Sequence, residues 1–324
     1  MHQLRRLVAV LTASFLILAV LPAGAQERPS GSGLSISPTT SEFTIARGQA
    51  QKLDITLKNV TVSDITAQAY INDFTSDGQS GSPKIITDPN KRLPTSIRNF
   101  VFGLEDVPLS RGEQKKLTIA LQVPADAVPG AYFGIIRYKA VPAGENAPES
   151  GEVALSASVG SIVLITIPGK VTEQVQLSAL HVYNGPHEGA FFFRKPTDIG
   201  VEVRNLGNGF VKPFGTIELQ DTFGKEVYNY QLNNTTPRGN ILPSSSRIFT
   251  NKPKNIDKPG RYTITASVAY GTGSEVLTLK KTFWYVPAWL LFTVIGVLVV
   301  LLLIAFRAYW KHKGSAKRSY RRKG

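Results

Sequence analysis

The sequence of 324 residues contains no cysteine, and that absence removes whole classes of chemistry. Disulfide scaffolds, thiol nucleophiles, zinc ribbons and iron–sulfur sites are all excluded. Histidine is scarce, with four in the chain, too few for a histidine-rich metal site. Charged residues make up 19% and hydrophobic residues 42%, which excludes a mainly disordered chain. There is no G-x-S-x-G elbow, Gly-rich phosphate loop, EF-hand loop or dinucleotide fingerprint. No metal or cofactor is therefore expected. The length itself suggests about two domains, each able to bury its own core.

What is present begins at the two ends. Arg5 and Arg6 precede an apolar run from Leu7 to Leu21, followed by Pro22 and the small residues Ala23-Gly24-Ala25. This is the layout of a secretory signal peptide, residues 1–25, cleaved after Ala25. At the other end, Thr282 to Phe306 carries no charge, and Ala288–Phe306 is almost entirely Leu, Val, Ile and Phe. Such a stretch is long enough to cross a bilayer as a helix, and a span over 284–306 is expected. Trp284, Tyr285 and Trp289 stand at one end of it, Tyr309 and Trp310 at the other. Paired aromatics of this kind mark the two membrane interfaces.

The tail, 307–324, holds Arg307, Lys311, Lys313, Lys317, Arg318, Arg321, Arg322 and Lys323 and no acid. A basic flank stays in the cytoplasm, so the expected protein is single-pass in the cell membrane with its N-terminal part outside. This partition explains most of the net charge of +14. Two of the excess charges sit in the signal peptide and eight in the tail, leaving +4 for residues 26–306. A nucleic-acid partner is not expected of an ectodomain so nearly balanced.

Between the ends the chain alternates with period two. Leu53, Ile55 and Leu57 alternate with polar neighbours, as do Leu117, Ile119, Leu121 and Val123. Ile199, Val201 and Val203, and Tyr262, Ile264, Ala266 and Val268, repeat the pattern. Each is a strand with one face inward. Gly- and Pro-containing turns separate them, as at Arg47-Gly48, Asp77-Gly78, Pro129-Gly130 and Pro259-Gly260. The pattern predicts an all-β protein: two tandem immunoglobulin-like β-sandwiches followed by one transmembrane helix. The first spans 26–168 and the second, membrane-proximal one 169–283, divided near Pro168-Gly169. With so short a linker, little hinge freedom is expected.

Two polar segments, Thr75–Pro94 and Pro142–Gly151, exceed what a sandwich needs. Each reads equally as a binding loop or a tolerated insertion. Asn72, Asp73 and Asp77 form a polar edge able to hydrogen-bond a glycan, and Tyr132, just after the Pro129-Gly130 turn, is a further candidate contact for a ligand or partner. Tyr228 and Tyr230 share one face of a strand, either outward as a stacking platform or inward as core. His181 and His187 read as ordinary strand and turn residues, and the acids are scattered, so an enzyme is not expected.

The first sandwich has a cadence of its own: Leu34-Ser35-Ile36-Ser37-Pro38, then Arg47-Gly48-Gln49 ahead of Leu53–Asn59, then Val123-Pro124 leading to Pro129-Gly130-Ala131-Tyr132-Phe133-Gly134. Over about residues 34–140 this resembles the peptidoglycan-binding domain of the WxL-interacting protein family. The Asn205-Leu206-Gly207-Asn208 and Ile241-Leu242-Pro243 segments resemble pieces of that family's second domain more weakly. The resemblance implies a surface protein that binds peptidoglycan and partner proteins bearing WxL domains. Two functions remain open here: a non-enzymatic cell-surface binding protein, or a structural spacer in a membrane complex.

Overall fold

At Pro38 the chain leaves one sheet for another. The alternation predicts a single strand over 34–45. The computed structural model instead has β1 (Leu34–Ser37) and β2 (Thr40–Thr44) in different sheets. Proline lacks the N–H that would continue a ladder, which suits it to this crossing. The structure describes residues 33–142, 158–271 and 275–320, with side chains up to 310. The expected signal peptide and all but the first residue of the 142–151 segment lie outside these residues.

The first sandwich packs two sheets face to face. One has the order β1-β3-β9-β7, with β3 at Ala50–Asn59, β7 at Val101–Phe102 and β9 at Gln114–Gln122. The other has the order β2-β11-β10-β4-β8, with β4 at Ile65–Asn72, β8 at Val107–Leu109, β10 at Gly130–Pro142 and β11 at Ser158–Ile167. Ile55, Leu57, Ile119, Leu121, Ile136, Tyr138, Ile165 and Ile167 fill the space between them. A separate hairpin, β5 (Phe74–Ser76) with β6 (Pro83–Ile85), occupies the first of the two long polar segments.

The second sandwich repeats the plan. One sheet has the order β13-β12-β15-β18: β12 Val175–Asn184, β13 His187–Glu188, β15 Asp198–Asn205 and β18 Ser246–Asn251. The other has the order β14-β20-β19-β16-β17: β14 Phe191–Phe192, β16 Phe214–Gln220, β17 Glu226–Leu232, β19 Gly260–Ala269 and β20 Val276–Tyr285. The period-two residues Val201, Val203, Ile264, Ala266 and Val268 all point into its core. In each sandwich the last strand is flanked by a short parallel strand, β2 beside β11 and β14 beside β20.

Two residues, Val286 and Pro287, separate the end of β20 from the helix α1 (Ala288–Tyr320). Its first 23 residues, Ala288–Trp310, are long and apolar enough to span a membrane. Trp284 and Tyr285, expected in the span, instead close β20, and Tyr285 is packed in the second core. A strand absorbs them because their backbone pairs with Gly260 and Arg261 across the sheet.

A third core joins the sandwiches. β10 is buried on both faces: Ile136 and Tyr138 point into the first core, while Phe133 and Ile135 point the other way. Phe133 and Ile135 cluster with Phe74 and Leu164, and Phe210 and Leu242 of the second sandwich pack against them. The Phe133 ring lies 5.1 Å from that of Phe74 and 6.1 Å from that of Phe210. Burying a large apolar side chain is worth about 1.5–3 kcal/mol, so even this small cluster holds the junction firmly.

Candidate functional site

Polar contacts complete the junction and shape a cleft beside it. Ala131 N–H donates to the Asn208 carbonyl at 2.9 Å. The Asn208 side chain accepts from Thr172 N–H at 2.7 Å. A Cβ at Gly130, whose φ is +146°, would come within 3.2 Å of the Asn208 oxygen, so this turn needs glycine for both conformation and approach. On the far side, Glu42 accepts from Lys212 Nζ at 2.6 Å and from Asn240 Nδ2 at 2.7 Å.

The β5–β6 hairpin is the other clasp. Ile248 N–H donates to the Gln79 carbonyl at 2.6 Å, and Ser246 Oγ donates to the Gly78 carbonyl at 3.1 Å. The polar segment at 75–94 is thus neither idle nor free: its hairpin lies along β18 of the second sandwich. Asp77 organises the tip. Its carboxylate accepts from the backbone N–H groups of Gln79, Ser80 and Gly81 and from the Ser80 hydroxyl. Those hydrogen bonds, the hydroxyl's above all, hold its pKa down at about 2.

Between the clasps lies a cleft of about 780 Å³, walled by both sandwiches. Leu93, Pro94 and Tyr132 contribute from the first, Glu202, Arg204 and Pro243 from the second. Arg204 is exposed and has no acidic partner among the described residues. A smaller recess of about 380 Å³ adjoins it, with Arg92, Asn99 and Asp126 on its walls. Tyr132 borders both. Its ring leans on Phe100 with centroids 5.0 Å apart, and its hydroxyl donates to the Val128 carbonyl at 3.1 Å. The result is a fixed aromatic ridge with cations on either side.

The other expected contact residues fall elsewhere. Asp73 is fully buried, its carboxylate accepting from Leu93 N–H at 3.0 Å and Ser96 Oγ at 2.7 Å. It braces the loop from within and presents nothing to a ligand. Asn72 donates to the Ile86 carbonyl at 3.1 Å beside it. Tyr228 and Tyr230 take the inward alternative, packing against the second core. Tyr228 donates to Asn251 Oδ1 at 2.9 Å, and burial pushes the Tyr230 phenol pKa well above its ordinary value.

One constellation has no signature in the sequence. His181 Nδ1 lies 2.9 Å from Glu188 Oε1 and its Nε2 lies 3.3 Å from Glu202 Oε2. Both ring nitrogens are occupied, and the hydrogen bond to His181 holds the Glu188 pKa below the usual carboxylate range. These acids are 7 and 21 positions from His181 along the chain, and strand pairing brings them to it: Glu188 stands opposite Tyr183 and Glu202 opposite Ala179. No spacing rule would have joined them.

No protein-family description matches the sequence, and no curated protein matches it. Solved structures are similar at low identity. The class 5 fimbriae chaperone CfaA is 12% identical with a TM-score of 0.38, covering 78% of this chain and 99% of that one. The E. coli chaperone DraB is 17% identical with a TM-score of 0.33, covering 78% and 97%. A protein of unknown function from Porphyromonas gingivalis is 14% identical with a TM-score of 0.28, covering 77% and 98%.

Proposed function

We propose that this chain is a non-enzymatic, membrane-anchored cell-surface binding protein, of the WxL-interacting kind. In this reading α1 crosses the cell membrane, the sandwiches stand outside and the basic tail lies in the cytoplasm. The ectodomain attaches to peptidoglycan, to surface partner proteins such as those bearing WxL domains, or to both. The observation that carries the reading is the cleft at the junction of two clasped sandwiches, with Tyr132 as its ridge. A half-buried aromatic face beside cations and backbone polar groups suits a glycan strand or its peptide stem, whose sugars stack and whose carboxylates pair with Arg204 and Arg92. His181 offers no free ring nitrogen to activate a nucleophile, which favours binding over hydrolysis.

Co-sedimentation of the full chain, in detergent, with insoluble peptidoglycan tests this. The expected result is retention in the pellet, reduced at least tenfold by Tyr132→Ala combined with Arg204→Ala. No retention of the parent chain would remove the glycan half of the reading. Crosslinking in native membranes addresses the spacer alternative: partners attached only through residues 284–324 would favour it.

A further inference from the structure

The end of the second sandwich from which α1 leaves collects its exposed aromatics. Phe223 is 93% exposed at the tip of the β16–β17 hairpin. Phe191 and Phe193 are half exposed, with ring centroids 5.4 Å apart, and Phe191 lies beside Trp284 in the β14–β20 register. The register puts them at one level. Thr222 Oγ1 bonds both the N–H and the carbonyl of Arg261, and Arg261 pairs with Trp284. The next residue, Phe223, therefore stands level with Gly260 and its partner Tyr285. Only Val286 and Pro287 separate that level from the first turn of α1.

The same end is basic. Lys225, Lys252, Lys254, Lys258 and Arg261 are all exposed, and none has an acidic partner among the described residues. The acids nearby, Asp198, Asp221, Glu226 and Asp257, are fewer than these cations, and Asp198 lines a recess with Lys252 and Lys254. Asp221 accepts from the N–H groups of Phe223 and Lys225, Asp257 pairs with Lys195, and Glu226 holds Asn229.

We propose that this end is a docking surface for an anionic phospholipid bilayer, with Phe223, Phe191 and Trp284 seated in the headgroup layer and the lysines on lipid phosphates. The proposal rests on α1 spanning the membrane. If it does, the two-residue connection leaves the sandwich no room to stand off. The headgroup layer extends about 5–7 Å beyond each side of the hydrocarbon, so it reaches this level. Aromatic rings are stabilised there by their mixed polarity, and clustered lysines add attraction to anionic lipid. The helix then acts as one leg of a two-point attachment that fixes the orientation of the ectodomain.

The cysteine-free chain makes the test direct. Single cysteines are introduced as Phe223→Cys, Phe191→Cys, Val297→Cys or Val62→Cys and carry a nitroxide. The full chain is reconstituted into vesicles of phosphatidylcholine alone or mixed with phosphatidylglycerol. Depth is read by electron paramagnetic resonance from oxygen and nickel-chelate accessibility. The expected readings in mixed vesicles are headgroup depth at 223 and 191, hydrocarbon at 297 and water at 62. Replacing Lys252, Lys254 and Lys258 with Gln should shift 223 toward water. A water reading at 223 and 191 with hydrocarbon at 297 would overturn the docking surface alone. A reading at 297 outside hydrocarbon would overturn the spanning helix and the docking surface with it. Equal depth in neutral and mixed vesicles, unmoved by the lysine replacements, would overturn the anionic requirement.

Discussion

Asn59 and Asn205 do the same work in the two sandwiches. Both are fully buried at the ends of equivalent strands. In each, Oδ1 accepts from the N–H two residues on, Thr61 or Gly207. In each, Nδ2 donates to the carbonyl four residues on, Ser63 or Gly209, and to a carbonyl beyond, Leu109 or Ile241. Losing such a side chain leaves buried backbone groups unpaired, at about 1–3 kcal/mol for each. Asn205→Ala should therefore cost about 3 kcal/mol in urea denaturation, with Asn59→Ala similar, whereas an exposed Asn229→Ala should cost under about 0.5 kcal/mol. Asp77 makes a second prediction. Its carboxyl pKa is lowered in the folded state, so its contribution is complete above the ordinary carboxylate value and fades as pH falls toward 2. An NMR titration should give Asp77 a midpoint near 2, with the Gln79 and Gly81 amides following it; a midpoint near 4 would mean the tip is not held this way. These roles were only partly legible. Asn205-Leu206-Gly207-Asn208 stood out as a turn, but nothing in it announces that the asparagine is buried. Asp73 and Asp77 look alike in sequence, and only tertiary packing sends one inward.

Among the elements, β10 and the β5–β6 hairpin decide how the sandwiches meet. The run Tyr132-Phe133-Gly134-Ile135-Ile136 has no polar alternation, the mark of a strand covered on both faces. That signal was available, yet a continuous apolar run does not say what covers the second face. The covering comes from Phe210, Leu242 and the hairpin, which are distant in sequence. Strand positions followed closely from period two because a one-residue slip would turn every apolar side chain to solvent. The break at Pro38 and the two-residue strand β14 were beyond that rule, being set by crossing and edge pairing. The hairpin gives an element-scale prediction. Replacing residues 77–82 by a two-residue Asn-Gly turn should leave each sandwich folded but weaken the coupling between them, which the third core still maintains. Calorimetry should show a lower and broader transition in the variant than in the parent; an unchanged transition would mean that the hairpin contributes no coupling. Phe133→Ala should act in the same direction and cost about 3–5 kcal/mol, since it opens the third core.

For the whole molecule, the clasped junction and the two-residue approach to α1 make a continuous load path from the helix to the far end of the first sandwich. Both sandwiches and the apolar helix were legible in the sequence, because periodicity, turns and hydrophobic length are local properties. The cleft was not, because Tyr132, Arg204 and the hairpin meet only through register and inter-sandwich packing. In the proposed function the two sandwiches face outward, tethered by a single span. Val62, 70% exposed at the end of the first sandwich away from the junction, is a natural reporter for it. Cysteine is introduced as Val62→Cys or as Ser319→Cys in the tail, and intact cells are treated with a membrane-impermeant maleimide. The expected result is labelling at 62 in intact cells and labelling at 319 only after permeabilisation. Labelling at 319 in intact cells, or none at 62 until permeabilisation, would contradict it.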